Sequence, residues 1–303
     1  MTRASVSAVP AATLFSEPAY AKVNLFLHVT GRRADGYHLL ESLFVFADAC
    51  DWLEAKVDEK LSLQLRGPKA DALEAAEDNL VLKAARALQQ AGKGAVGQGA
   101  RLLLEKNLPV AAGLGGGSAD AAAALRLLGR LWGVKLSAPE LHELALGLGA
   151  DVPACLDARP KRVAGIGDII RPLPGLPPIY LLLVNPGIAL STAQVFGERV
   201  RQGADYSKPG MLDLEFVDSE GFIESLKVRR NDLEAAAVAL QPEIGTVLEM
   251  IAAVPGCRLS RMSGSGASCF GIFLNKAEME AGLAYLVSVR PEWWIWGGGL
   301  VGV

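Results

Sequence analysis

The sequence is short of the residues that anchor metals and cross-links. Its four cysteines (Cys50, Cys155, Cys257, Cys269) lie far apart with no Cys-x-x-Cys pair. That spacing suits reduced, buried thiols in a cytosol better than disulfides or a zinc site. Three histidines without ligand spacing argue against a histidine metal centre. No apolar run approaches the roughly 20 residues that a membrane-crossing helix needs, and Ile179 to Val184 is the length of a strand. Neither sign of charge prevails: the formal net charge is −3, which points to no nucleic-acid and no membrane partner. The first seventeen residues carry a single arginine, Arg3, and no long apolar stretch. They resemble neither a signal nor a transit peptide and read as a disordered tail, so the expected location is cytoplasmic.

The common nucleotide and hydrolase signatures are missing too. No Gly-Lys-Ser/Thr follows a glycine loop, Ser118 stands where a dinucleotide fingerprint needs its third glycine, and there is no Gly-x-Ser-x-Gly elbow or His-Arg-Asp set. What is present is an ordinary globular composition, 51% hydrophobic and 21% charged over 303 residues, enough for one large domain or two moderate ones.

The dominant stretch is Leu108 to Leu131. Pro109-Val110-Ala111-Ala112-Gly113-Leu114-Gly115-Gly116-Gly117-Ser118-Ala119 places four glycines within five positions, which lets a turn expose its amides and a ligand approach the backbone. After it, Ala121, Ala124, Leu125, Leu128, Leu131 and Trp132 recur at helical spacing with Arg126 and Arg130 off the stripe, and Ser118 or Asp120 can cap the helix. A glycine loop emptying into a helix N-terminus is an anion site in form. The dipole supplies only about 0.3–1 kcal/mol at an exposed site, so a polyphosphate needs several amides and a cation as well. The bland alternative is a flexible surface turn.

Elsewhere, Tyr20 to Thr30 alternates as a strand with Lys22, Asn24, Phe26 and His28 on one face. Lys22 and Asn24 together can aim at one polar target, or they mark a solvent-facing sheet edge. Gly31 to His38 is a turn-rich loop with an Asp-Gly signal. Strands are expected at Leu43 to Phe46, Trp52 to Val57, Leu61 to Leu65 and Arg101 to Glu105. A helix capped by Asp78-Asn79 and a loose link from Gly92 to Gly99 lie between the last two. Ser137-Ala138-Pro139-Glu140 is a capping box opening a helix that stops at Gly149. Asp151 follows, and on sequence alone an N-cap for the next turn is the better reading. The second half predicts strands at Arg162 to Ile170, Ile179 to Val184 and Cys257 to Met262. Helices are expected near Ser191-Thr192 and over Pro242 to Ala253, and a Ser263 to Ala267 loop runs into a strand ending at Leu274. That loop can be a hairpin turn. The junction between two α+β domains falls near Arg159 to Val163, giving residues 1–160 and 161–303.

Three motifs in this order, Ala21-Lys22-Val23-Asn24-Leu25, Pro109 to Ser118 and Gly264-Ser265-Gly266-Ala267, resemble the GHMP small-molecule kinases. The resemblance implies an α+β fold of two domains: a ribosomal protein S5 domain 2-like N-terminal domain for ATP binding and catalysis, and a ferredoxin-like C-terminal substrate-cleft domain. It implies ATP as co-substrate and Mg2+, with Ser118 the implied neighbour of the metal. The Asp35-Gly36-Tyr37-His38 element narrows the likeness to a branch acting on a cytidine diphosphate substrate in non-mevalonate isoprenoid biosynthesis. In that branch the residue matching Asp151 takes the proton from a 2-hydroxyl, and Lys22 sits against both groups. Tyr37 and His38 would lie at the cytosine, Asn24 near the acceptor end, and Phe196 on the base with Thr192 nearby. Asn79 and Lys106 match adenine-pocket positions. Homoserine, mevalonate and galactose kinases and diphosphomevalonate decarboxylase share the loops and remain alternatives. Tyr20 departs from the proline of many relatives, away from the chemistry.

Overall fold

The computed structural model describes residues 14–73, 78–92, 99–173, 175–210 and 216–303. Most of the expected tail (1–13) and of the loose link (93–98) lies outside these residues, whereas Phe15 to Glu17 already belong to the first strand.

In chain order the elements begin with β1 (Phe15–Arg32), β2 (His38–Asp58), β3 (Ser62–Arg66), α1 (Leu80–Ala91) and β4 (Gly99–Glu105). There follow α2 (Gly116–Trp132), α3 (Ala138–Leu148), β5 (Lys161–Gly165), β6 (Ile169–Pro172), β7 (Tyr180–Asn185) and α4 (Thr192–Arg201). The chain closes with α5 (Ser219–Lys227), α6 (Glu234–Leu240), α7 (Glu243–Ala252), β8 (Leu259–Met262), β9 (Cys269–Phe273), α8 (Lys276–Val289), β10 (Trp294–Gly298) and β11 (Leu300–Val301). The fold is mixed α+β, and its described residues divide into two interleaved compact units. One comprises residues up to Ala19, Cys50–Val110 and Gly116–Leu156; the other comprises Tyr20–Ala49, Ala111–Gly115 and Asp157–Val303.

In the first unit β3 runs parallel to β4, and β4 runs antiparallel to Trp52–Asp58 of β2. Helix α1 begins where Asn79 Oδ1 accepts from Val81 N at 3.0 Å, and it buries Val81, Leu82, Ala84, Ala85 and Leu88. Helix α2 is buried all round from Ala119 to Leu125, where Ala119 and Ala121 to Ala124 let neighbours come close. Arg126, expected off the buried stripe, ties the unit together. It donates to Glu17 Oε1 at 2.6 Å, Pro18 O at 3.0 Å and Cys155 O at 2.8 Å. The α3 capping box forms as expected, Glu140 N donating to Ser137 Oγ and Ser137 N to Glu140 Oε2.

In the second unit β10, β7, β9 and β8 form an antiparallel four-stranded sheet in that order. Residues 40–44 of β2 pair antiparallel with β5, β5 pairs with β6, and β11 pairs with Phe46 and Ala47 of β2. The core beneath the four-stranded sheet joins Leu182, Val184, Val195, Ile244, Val247, Ile251, Met279 and Leu286, all buried.

Several expectations are corrected. Two separate strands were expected at Leu43 to Phe46 and Trp52 to Val57, but β2 runs unbroken through both because no glycine or proline interrupts it and the Asp51 carboxylate between them finds partners inside the protein. Helix α2 starts at Gly116, so Ser118 and Asp120 lie within its first turns and do not precede it as caps. The single strand expected over Arg162 to Ile170 is a hairpin. Gly165 and Gly167 take φ of +70° and +106°, and Asp168 Oδ1 accepts from Ile166 N at 3.0 Å. Both faces of β1 are buried, so Lys22, Asn24, Phe26 and His28 do not form a wet sheet edge.

Candidate active site

In the second unit three distant segments meet. Lys22 on β1 is 4% exposed. Its Nζ donates to Asn24 Oδ1 at 2.9 Å and lies 4.3 Å from the centre of the Phe44 ring. Asn24 Nδ2 donates to Ser42 Oγ at 2.8 Å, and that hydroxyl donates onward to Phe26 O at 2.5 Å. These bonds fix the amide orientation of Asn24 and the tip of Lys22. The backbone N–H of Lys22 donates to Leu114 O at 2.9 Å, joining β1 to the glycine loop.

The loop is held from its other side by the Ser263–Ser268 turn. Ser263 Oγ donates to Gly113 O at 2.9 Å, Asn24 N donates to Ser263 Oγ at 3.1 Å, and Ser268 N donates to Ala112 O at 3.1 Å. A Cβ on Gly113 would stand 2.3 Å from Ser263 O and 2.9 Å from Gly266 O, and the residue holds φ of +75°. Only glycine fits. Ala111 takes φ of +51°, a strained conformation for a side-chain-bearing residue that is tolerated where the backbone must present itself to something else. The late loop is the β8–β9 hairpin, as the simpler reading had it, and it is buried from end to end. Asn231, which the sequence did not single out, holds it in shape. Its Nδ2 donates to Met262 O and to Gly264 O, each at 2.8 Å.

The aromatic and hydroxyl candidates also gather in this unit. The His38 ring stacks on Phe196 at 4.6 Å between centres, 22° from parallel. Its Nε2 is buried with no hydrogen-bond partner among the described residues. Burial, helped by Arg32 and Arg199, lowers the His38 pKa, so the imidazole is neutral at pH 7. Tyr37 is 63% exposed, and Thr192 Oγ1 shares a 2.7 Å hydrogen bond with Ser265 Oγ.

In the first unit, Pro109 and Ala119 are buried, Val110, Gly116 and Ser118 half-buried, and Gly117 exposed at the start of α2. A Cβ on Gly117 would only touch Leu80 Cδ1, at 3.4 Å. Asp151 is half-buried in the turn after α3. Its backbone carbonyl accepts from Cys155 N at 3.2 Å, so it stands at the start of the next turn. Lys106 is 2% exposed and its ammonium is engaged by Asp51 Oδ2 at 2.5 Å and Asp120 Oδ2 at 2.7 Å. Burial pushes the Asp120 carboxyl up to about 7 against the pull of Lys106. The Lys106 ammonium, which burial alone would lower, is raised by Asp120 and Asp51. Sequence reasoning missed both carboxylates, because residues 51 and 120 approach Lys106 only through the fold.

A Lys-x-Asn strand, a glycine loop opening a helix and a buried Ser/Gly hairpin bracing that loop are the parts of a kinase that works on small molecules. Residues 79–159 match the GHMP kinases N terminal domain, and residues 220–289 match GHMP kinases C terminal. The chain belongs to the GHMP kinase family and is a small-molecule kinase. Within that class, it is 50% identical over 283 residues to the 4-diphosphocytidyl-2-C-methyl-D-erythritol kinase of Paramagnetospirillum magneticum, covering 93% of this chain and 97% of that one. It is likewise 50% identical over 294 residues to the enzyme of that name from Rhodospirillum rubrum, covering 97% and 95%. A crystal structure of 4-(cytidine 5'-diphospho)-2C-methyl-D-erythritol kinase superposes with a TM-score of 0.75 at 33% identity, covering 94% of this chain and 99% of that one.

Proposed function

We propose that this kinase transfers the γ-phosphoryl group of ATP to the 2-hydroxyl of 4-diphosphocytidyl-2-C-methyl-D-erythritol, giving the 2-phosphate and ADP in non-mevalonate isoprenoid precursor biosynthesis. The observation that carries the reading beyond the similarity is the His38–Phe196 stack beside exposed Tyr37. It is an aromatic shelf with one buried, unmet ring nitrogen, which suits a planar base with its own hydrogen-bonding edge. Phe196 stacks on the cytosine, Tyr37 and His38 recognise it, Thr192 lies nearby, and Asn24 sits towards the acceptor end.

The acceptor is a tertiary alcohol, a poor nucleophile at neutral pH, and it needs a base within hydrogen-bond reach as it attacks. Asp151 takes that proton. The Lys22 ammonium stabilises the charge that develops on the acceptor oxygen. Phosphoryl transfer is otherwise positioning and charge stabilisation. The glycine-loop amides from Pro109 to Ala119 and the start of α2 hold the phosphates. Asn79 and Lys106 line the adenine end. Residues 1–160 carry ATP binding and catalysis, with Asn24, Tyr37 and His38 of that stretch at the acceptor substrate, and residues 161–303 complete the substrate cleft.

Magnesium is the metal this chemistry takes. Among the described residues no group of three or more His, Cys, Asp or Glu is placed to hold a metal ion. Mg2+ in kinases keeps waters and phosphate oxygens and needs only one or two protein oxygens, and Ser118 would be its neighbour. When bound, the ion neutralises charge on the phosphates. The four cysteines stand as thiols, and no described helix is long and apolar enough to cross a membrane. We place the kinase in the cytoplasm, acting on a small molecule without a nucleic-acid or membrane partner.

The test is ADP release with ATP and magnesium, presenting the cytidine substrate beside homoserine, mevalonate and galactose. Turnover with the first alone is expected. Turnover with another acceptor would keep the family and overturn the assignment of Tyr37 and His38.

A further inference from the structure

The glycine loop has two feet, and one buried ion cluster reaches both. The entry foot follows β4, and the exit foot is the first turn of α2. Asp51, in the interior of β2, accepts at Oδ1 from the backbone N–H groups of Asn107 at 2.6 Å and Leu108 at 2.8 Å. Its other oxygen takes a hydrogen bond from Lys106 Nζ at 2.5 Å, and the same ammonium donates to Asp120 Oδ2 at 2.7 Å. Asp120 belongs to the opening turns of α2, so the path entry foot, Asp51, Lys106, Asp120, exit foot is continuous. A Cβ on Gly116 would lie 3.1 Å from Lys106 Nζ and 3.9 Å from Leu108 Cβ, which puts the first residue of α2 directly on the ammonium and beside the entry foot. The three side chains are 0%, 2% and 3% exposed for Asp51, Lys106 and Asp120.

Three ionisable groups buried together are a costly way to fill space that apolar side chains fill as well, and removing one partner strands the others. What an apolar cluster does not provide is directional bonds to both ends of a segment. The loop between the feet is rich in glycine and is expensive to order when a ligand arrives. Holding its ends at fixed separation removes part of that cost in advance. We propose that Asp51 and Asp120 are positioning residues for the nucleotide. Acting through Lys106, they set the spacing of the two feet so that the loop amides are aimed at the phosphates before ATP binds. This inference rests on the loop's role in the proposed function, and it adds residues that contact no substrate.

The experiment measures the dissociation constant for ATP by equilibrium binding, alongside acceptor KM and thermal stability, in wild type, Asp120→Leu, Asp120→Asn and Asp51→Asn. Asp120→Leu is expected to weaken ATP binding at least tenfold while acceptor KM stays within twofold. Asp120→Asn keeps an oxygen for Lys106 and should recover most of that loss. Asp51→Asn must turn its NH2 either to Lys106 or to the two backbone N–H groups, so it releases one foot and should weaken ATP binding at least fivefold. A merely structural cluster would lower the melting temperature and the fraction of active protein while leaving the ATP constant of the folded fraction unchanged. That result in Asp51→Asn, or in Asp120→Leu where it folds, overturns the proposal. Wild type that binds ATP but phosphorylates no cytidine substrate refutes the proposed function, while the ATP constants still decide the role of the cluster. Wild type that does not bind ATP refutes both.

Discussion

The two Gly/Ser loops look alike in sequence and are built for opposite tasks. The first, Ala111 to Ser118, is exposed at Ala111 and Gly117 and opens a helix, the kind of start whose first N–H groups have no partner within the helix. The second, Ser263 to Ala267, is a buried hairpin turn whose groups are spent on the protein itself: Ser263 Oγ on Gly113 O, and the carbonyls of Met262 and Gly264 on Asn231. The second loop supports, and the proposed function makes the first the one that receives. Glycine content therefore identifies neither role. What separates them is whether the backbone polar groups are already paired.

If that division is right, changes on the receiving side alter kinetics and leave stability intact, while changes on the supporting side alter stability first. The largest expected effect is kinetic: Asp151→Asn should bind ATP normally and lose roughly 10²–10⁴-fold in kcat, the usual scale for a general base. Near wild-type turnover would remove the assignment. Next comes Gly113→Ala, which lies where the first loop rests on the second and so acts on the support: it forces a Cβ to 2.3 Å from Ser263 O at φ of +75°. Urea unfolding should show a loss of about 3 kcal/mol or more, and an unchanged midpoint would mean that the two loops are not in contact in solution. Ser263→Ala removes the acceptor of Asn24 N and the donor to Gly113 O. It should cost about 1–3 kcal/mol in the same measurement, the penalty of leaving buried groups unpaired. Full activity in the surviving folded protein would sharpen the comparison, whereas a kinetic defect at full stability would break it.

A smaller effect tests the aromatic shelf. His38 has its pKa lowered by burial, below the ordinary 6.5, so its imidazole stays neutral as pH falls towards 6.5 and protonates only at more acidic pH. Acceptor KM should be flat from pH 8 to about 6.5 and rise below it, with KM for ATP unmoved by this group. A rise in acceptor KM already centred at neutral pH would contradict the lowered pKa.

Much of this was legible in the residues. The glycine loop and its helix, the Ser137–Glu140 capping box and the Asn79 cap are local features, and local chemistry decides them. Others depended on distant partners. Asp51 falls between the two strands expected at Leu43 to Phe46 and Trp52 to Val57, and it sits inside β2 because Lys106, Asn107 and Leu108, distant in sequence, pair its carboxylate. No element was expected at β10; its Gly297 is where the strand packs closely on α8, since a Cβ there would be 2.3 Å from Met279 Sδ. Helices α5 and α8 did carry legible signals, Asp218 and Asn275 at their N-caps, that the sequence reading passed over. Of the site, the motif residues could be named from the sequence. The Ser42, Asn231, Asp51 and Asp120 supports could not, because each acts on a residue far along the chain.

The most direct test of the central claim is phosphorus NMR of the complete reaction with wild-type protein, ATP, magnesium and the cytidine substrate. The account predicts one new phosphomonoester signal for each ADP formed, with the diphosphate of the acceptor retained. ADP with inorganic phosphate and no phosphomonoester, or loss of the acceptor's diphosphate, would contradict it.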